Sequence, residues 1–164
     1  MIVISDTTPL ISLMKADRLS VLHELFGEIL IPRAVFAELT ENASFRDEAE
    51  QIVNCPFIRV VAVDDPKTVA DLRFATGLDI GESEAITLAD SYQADFLLMD
   101  ERAGRKIAIA MGLRIMGTVG ILMNAYDEGF LSAQEVQEAL DRMRRENSRI
   151  SGDLIRLALD HVGL

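Results

Sequence analysis

Four acidic residues, Asp6, Glu38, Glu82 and Asp100, stand where the chain could bring carboxylates together. Asp6 and Asp100 each lie at the end of a short apolar run, Ile2-Val3-Ile4 and Phe96-Leu97-Leu98-Met99, and each precedes a helical stretch. A carboxylate at the end of a buried strand is costly to desolvate unless a cation compensates it. Glu38 borders the apolar face that Val35, Phe36 and Leu39 define at 100° per residue, whereas Glu41 points into solvent. Glu82 falls within about 40° of the buried face set by Ala85, Ile86 and Ala89, with Glu84 on the far side. An all-oxygen set of this kind suits Mg²⁺ or Mn²⁺. Such an ion orients a water, lowers its pKa and stabilises an in-line phosphoryl transition state, so phosphodiester hydrolysis is the reaction class. Each acid also has a purely structural reading. Asp6 and Asp100 are placed to cap the next helix, Glu38 to be an ordinary solvated glutamate, and Glu82 to close a capping box with Asp79. Asp65, before Pro66, is read as an N-cap, which leaves the Asp64-Asp65 pair outside the site.

These acids must be positioned by alternating strands and helices. Ile2, Val3 and Ile4 form the unalternating β-branched run of a strand buried on both faces of a parallel sheet. Thr8 and Pro9 are read as an N-cap and a first helical residue, opening a helical stretch over 9–26 that breaks near Asp17 and ends at Gly27. A second strand is expected over 28–31, and Pro32 opens a helix reaching about residue 42. A helix over 45–54 and a third strand over 57–63 follow. The helix carrying Glu82 leads to a fourth strand over 95–99 and a fifth over 114–116. Helices then begin at Gly117-Thr118, Ser132 and about Ser151. This alternation predicts an α/β fold, a three-layer α/β/α sandwich around a mostly parallel five-stranded sheet, with extra C-terminal helices. Residues 1–164 are read as a single domain, 1–125 as its core and 126–164 as the C-terminal helices. Right-handed crossovers in such a sheet bring strand ends to one edge, where ligands bind.

Composition narrows the partners. Hydrophobic residues make up 49% and mean hydropathy is +0.20, which excludes a disordered chain. The net charge of −11, from 27 acidic and 16 basic residues, argues against an indiscriminate nucleic-acid binder but not against a nuclease whose acidic pocket is neutralised by metal. Cys55 has no second cysteine to pair with, which suits a reducing cytoplasm. With only His23 and His161 besides, the Cys/His cluster that a structural zinc site needs is missing. No apolar run approaches the roughly 18 residues of a membrane span, and no basic region precedes the first apolar residues as a signal peptide requires. A cytoplasmic location is expected. Arg102, Arg105 and Lys106 form one basic cluster, and Arg142, Arg144, Arg145 and Arg149 another. Solvated helix faces account for both, but the guanidiniums of Arg102 and Arg105 also suit bidentate contact with a substrate phosphate.

The motifs taken together resemble a known family. They are Ile4-Ser-Asp6-Thr-Thr-Pro-Leu-Ile11, Pro32-Arg-Ala-Val-Phe-Ala-Glu38-Leu39, Gly81-Glu82-Ser-Glu-Ala-Ile86, Leu97-Leu-Met-Asp100-Glu-Arg-Ala-Gly-Arg105 and Gly112-Leu-Arg-Ile-Met-Gly-Thr-Val-Gly-Ile-Leu122. In order and spacing, over roughly residues 1–125, they resemble the PIN-domain proteins, in a branch known as a PIN-like domain of unknown function. The resemblance implies a Mg²⁺- or Mn²⁺-dependent endoribonuclease acting on RNA, often the toxin of a toxin–antitoxin pair with an antitoxin-type protein partner, and often a homodimer. It places the family's acids on Asp6, Glu38, Glu82 and Asp100, and a supporting hydroxyl on Thr7. One departure is that the third acid is a glutamate after glycine, where many toxin members carry an aspartate. The competing reading is a catalytically silent PIN-like module that binds nucleic acid or protein. A phosphoacceptor domain or aspartate-based phosphatase fits poorly, because the second aspartate such a phosphatase needs is here Thr8.

Overall fold

The computed structural model describes residues 1–146 and 149–164. Its strands are β1 (Val3–Ser5), β2 (Ile29–Pro32), β3 (Ile58–Val61), β4 (Phe96–Leu98) and β5 (Ile115–Met116). They form one all-parallel sheet in the order β3-β2-β1-β4-β5, with β1 at its centre. Every residue of β1 and β2 is buried, as expected of inner strands covered on both faces. The edge strand β3 instead exposes Arg59 and Val60.

Chain order assigns the helices to layers. After β1 and β2 come α1 (Thr7–Lys15), α2 (Val21–Phe26), α3 (Arg33–Glu41) and α4 (Arg46–Val53). After β3 and β4 come α5 (Pro66–Thr76), α6 (Ile80–Ser91) and α7 (Arg102–Ala110). Last come α8 (Thr118–Asp127), α9 (Ala133–Arg145) and α10 (Gly152–His161). One face of the sheet, through Val3, Ile29, Ile31 and Leu98, shares a core with Leu13, Leu22, Val35, Ile52, Leu122, Leu140 and Ala158. The other face, through Ile4, Leu30, Leu97 and Met99, packs on Ala85, Ile86, Ala89 and Ala108. Strand alternation therefore feeds two separate cores, one on each side, and the three-layer α/β/α sandwich is formed.

Because α1 follows β1 on one face and α7 follows β4 on the other, the sheet's winding reverses between these two neighbouring strands. Open α/β sheets hold their crevice at such a point, outside the carboxyl ends of the strands. Ser5 pairs with Leu98 in register, and the Asp6 amide donates to the Leu98 carbonyl at 2.9 Å. Asp6 and Asp100 are thereby placed on the same edge.

Local differences from expectation have local causes. The first helix begins at Thr7, so Asp6 rather than Thr8 holds the N-cap position, and Pro9 is its third residue. Proline is tolerated there because first-turn amides have no intrahelical acceptor. The break near Asp17 spans residues 16–20, where Asp17 adopts a left-handed conformation, φ 57°. The stretch over 45–54 divides into a 3-10 turn, Ala43–Phe45, and α4, with the Asn42 side chain accepting from the Ser44 amide. Asp65 caps α5 as expected, accepting from Lys67 N–H at 3.1 Å. Among the described residues, no helix is long and apolar enough to cross a membrane.

Candidate functional site

Asp6 is 4% exposed at the carboxyl end of the central strand. It occupies the N-cap position of α1, yet its side chain accepts no capping hydrogen bond. Its third-residue partner would be Pro9, which has no N–H. Burial pushes its pKa up to about 7; the Thr7 amide opposes that rise, and the charges of Glu82, Asp79 and Glu38 add to it. A carboxylate surrounded in this way by other carboxylates ionises reluctantly.

The neighbours reach Asp6 from two helices. Val35 and Leu39 bury one face of α3 and leave Glu38 outside it, mostly exposed. The Glu38 carboxylate turns back to the sheet edge, where Oε2 accepts from Thr7 Oγ1 at 2.8 Å. Thr7 is itself buried, so this bond ties α1 to α3 at the site. Glu41, one turn on, is exposed. Glu82 sits in the first turn of α6 in a complete capping box: its amide donates to Asp79 Oδ1 at 2.8 Å, and its Oε2 accepts from the Asp79 amide at 3.2 Å. The structural alternative for Glu82 is thus realised. Even so, its pKa is raised, first by burial and then, against the opposing Asp79 amide, by the charges of Asp79, Glu101 and Glu38.

Asp100 is half-buried just beyond β4 and caps a helix, though not the one that follows it. Its Oδ1 accepts from the Thr118 amide at 2.8 Å and its Oδ2 from Thr118 Oγ1 at 2.6 Å, at the start of α8. Negative charge is favoured at a helix N-terminus. Gly117 permits this approach, since a Cβ there would lie 2.9 Å from Asp100 Oδ1.

Two acids were missed as site neighbours. Asp79 and Glu101 both act electrostatically on Glu82, and Asp79 also acts on Asp6. Both occupy N-cap positions, of α6 and α7, and in sequence that role already accounts for them. Glu84 also departs from its reading as a glutamate turned away from the core. Half-buried, it accepts from the Ala34 amide at 3.1 Å and so caps α3, the helix that carries Glu38.

The charges of Glu38, Glu82 and Asp79 act on Asp6, while Asp100, at the end of the neighbouring strand, is held by Thr118. Among the described residues, no three of these side chains stand close enough to enclose a metal ion. Glu82 is turned into its capping box, Glu38 toward Thr7 and Asp100 toward Thr118. The donor set nonetheless consists only of carboxylate oxygens around a buried, uncompensated aspartate, which is the chemistry that suits a hard divalent cation.

A cleft of about 450 Å³ opens beside this edge, with Thr7, Glu38, Asp100, Glu101, Arg102 and Thr118 among its lining residues. The two arginines set side by side in sequence part company here. Arg102 is exposed on the cleft wall. Arg105 donates from Nη1 to the Met99 carbonyl at 2.9 Å, bracing the end of β4.

No curated protein and no solved structure matches the chain. One family model does, and it covers residues 2–164, the C-terminal helices included. Together with the five parallel strands and the acidic carboxyl edge, that match over nearly the whole chain means that it belongs to the PIN domain family DUF3368.

Proposed function

We propose that the chain is a metal-dependent endoribonuclease that hydrolyses RNA phosphodiester bonds, with Asp6, Glu38, Glu82 and Asp100 holding Mg²⁺ or Mn²⁺. PIN domains are commonly nucleases and typically use divalent metals. The observation that carries the reading is Asp6: a buried carboxylate at the sheet's switch point on which the charges of three other carboxylates act. When bound, the ion supplies a water activated for attack and a positive charge for the phosphoryl group. The protein's own groups do the rest. Asp6 would provide a buried oxygen donor at the end of the central strand. Thr7 orients Glu38, and Thr118 orients Asp100. Glu82 would have to give up its capping-box bond to the Asp79 amide to hold the ion. Arg102, on the cleft wall, is the candidate for a substrate phosphate, whereas Arg105 braces the strand end. The finer parts of the proposal are cytoplasmic location, a homodimer, and the role of toxin with an antitoxin-type protein partner. The last two rest on the family resemblance, and the location on the lone Cys55.

A second reading, a catalytically silent PIN-like module that binds nucleic acid or protein, is favoured by one observation. Glu82 and Asp100 both already have hydrogen-bond partners that a metal ligand would have to give up or share. The deciding experiment incubates the purified protein with structured and single-stranded RNA in Mg²⁺, Mn²⁺ or EDTA, alongside Asp6→Asn and Glu82→Gln. Metal-dependent cleavage lost in both variants supports the ribonuclease. Cleavage indifferent to both variants identifies a contaminant or a misplaced site, and folded protein that binds RNA without cutting it supports the silent module.

A further inference from the structure

The cleft beside the acids has a wall that the motif-bearing part of the chain does not supply. Arg149 and Ile150, which precede α10, and Leu154, in its first turn, line it together with residues of the motif-bearing part such as Lys15 and Phe45. The described residues on either side, at the end of α9 and the start of α10, are held in place. Lys15 Nζ, at the end of α1, donates to the Glu146 carbonyl at 3.0 Å. Ile155 and Ala158 of α10 are buried in the core, and Ile150 packs against it. Farther along α10, His161 Nε2 meets Asp127 Oδ1 of α8 at 2.8 Å.

Charge singles out Arg149 within its cluster. Arg144 and Arg145 line a separate shallow depression with Asp141. Arg149 alone of the four lines the acidic cleft. There Lys15, Arg102 and Arg149 balance Glu38, Asp100 and Glu101, on a chain whose net charge is −11. Among the described residues, neither Arg102 nor Arg149 forms an ion pair. A polyanion approaching a group of carboxylates is repelled unless cations line its path, and an exposed guanidinium offers a planar fork that matches a phosphate. We infer that residues 149–154 form a substrate-binding wall of this cleft, and that Arg149, with Arg102, holds an RNA backbone phosphate beside the one being cut. The inference rests on the ribonuclease reading and extends its site to the C-terminal helices.

The test measures binding of a short, fluorescently labelled single-stranded RNA to Asp6→Asn protein in EDTA over a range of salt, so that binding is read without cleavage. Arg149→Gln and Arg145→Gln are each added to that background. Arg149→Gln is expected to weaken binding several-fold and to reduce the slope of log affinity against log salt by about 0.7, the loss of one phosphate contact on a single strand. Arg145→Gln is expected to change neither. In the otherwise unsubstituted enzyme, Arg149→Gln is expected to raise KM and leave kcat nearly unchanged. Equal effects of the two substitutions, or no effect of Arg149→Gln, overturn the inference while metal-dependent cleavage by the unsubstituted protein leaves the ribonuclease reading standing. Failure of the unsubstituted protein either to bind or to cut RNA overturns both.

Discussion

Asp6 is the side chain whose burial should cost the fold most and which the proposed chemistry needs. Its pKa rises from 3.8 to about 7 on folding, so between those values the folded chain holds more protons than the unfolded one. Stability must then fall as pH rises through that window, because the slope follows the protons bound by the unfolded state minus those bound by the folded state. Above pH 7 the full penalty applies, on the order of 4 kcal/mol for a shift of this size. Asp6→Asn removes the charge and nearly keeps the shape. In EDTA at pH 8 it should unfold at higher urea than the unsubstituted protein, with the gap narrowing toward pH 5, while losing RNA cleavage. Equal urea midpoints at both pH values would show that Asp6 is not desolvated. Thr118 gives a second residue-scale prediction. Its buried hydroxyl donates to Asp100 Oδ2 at 2.6 Å, and Thr118→Val keeps the volume but leaves that oxygen short of a donor. A loss of about 1–3 kcal/mol in urea unfolding is expected, with weaker cleavage as Asp100 loses its orientation.

At the scale of elements, what holds the site is a set of ties between helix starts and strand ends. Asp100 joins β4 to α8, Glu84 joins α6 to α3, and Thr7 joins α1 to Glu38 on α3. Gly117 is where such a tie is tightest. Its φ of −88° suits any residue, so the demand for glycine is steric. A Cβ would stand 2.9 Å from Asp100 Oδ1 and 3.0 Å from Arg105 Nη1. Gly117→Ala should therefore cost about 1–3 kcal/mol, the usual range for overpacking, and should lower activity by displacing both side chains. Thermal unfolding and the RNA assay read the two effects, and an unperturbed variant would mean that this edge has slack. The strands themselves were legible in the sequence, because a run such as Ile2-Val3-Ile4 has no polar face to leave in water. The ties were not. Glu84 and Ala34 are fifty residues apart, and nothing near either one announces the other.

For the whole molecule, the reversal of winding between β1 and β4 gives the acids a common edge, and a divalent ion is expected to relieve the repulsion among them. Ligand binding to the folded state alone stabilises it by about 2.7 kcal/mol at a hundredfold excess over Kd. Mn²⁺ should accordingly raise the Tm of the unsubstituted protein at pH 8 and leave that of Asp6→Asn nearly unchanged; an equal rise in both would place the ion elsewhere. The amino-acid sequence alone determined the alternation of strands and helices, the three layers, and the placing of Asp6 and Asp100 at strand ends, because hydrophobic period and helix punctuation are properties of neighbouring residues. Only the tertiary structure decided that Asp79 and Glu101 join the acids, that Glu82 rests in its capping box, and that Asp100 serves α8 rather than α7. It also decided that Arg105 turns to a backbone carbonyl while Arg102 and Arg149 share a cleft. Which oxygen faces which donor is set by crossovers that bring together residues tens of positions apart, and local spacing does not encode that.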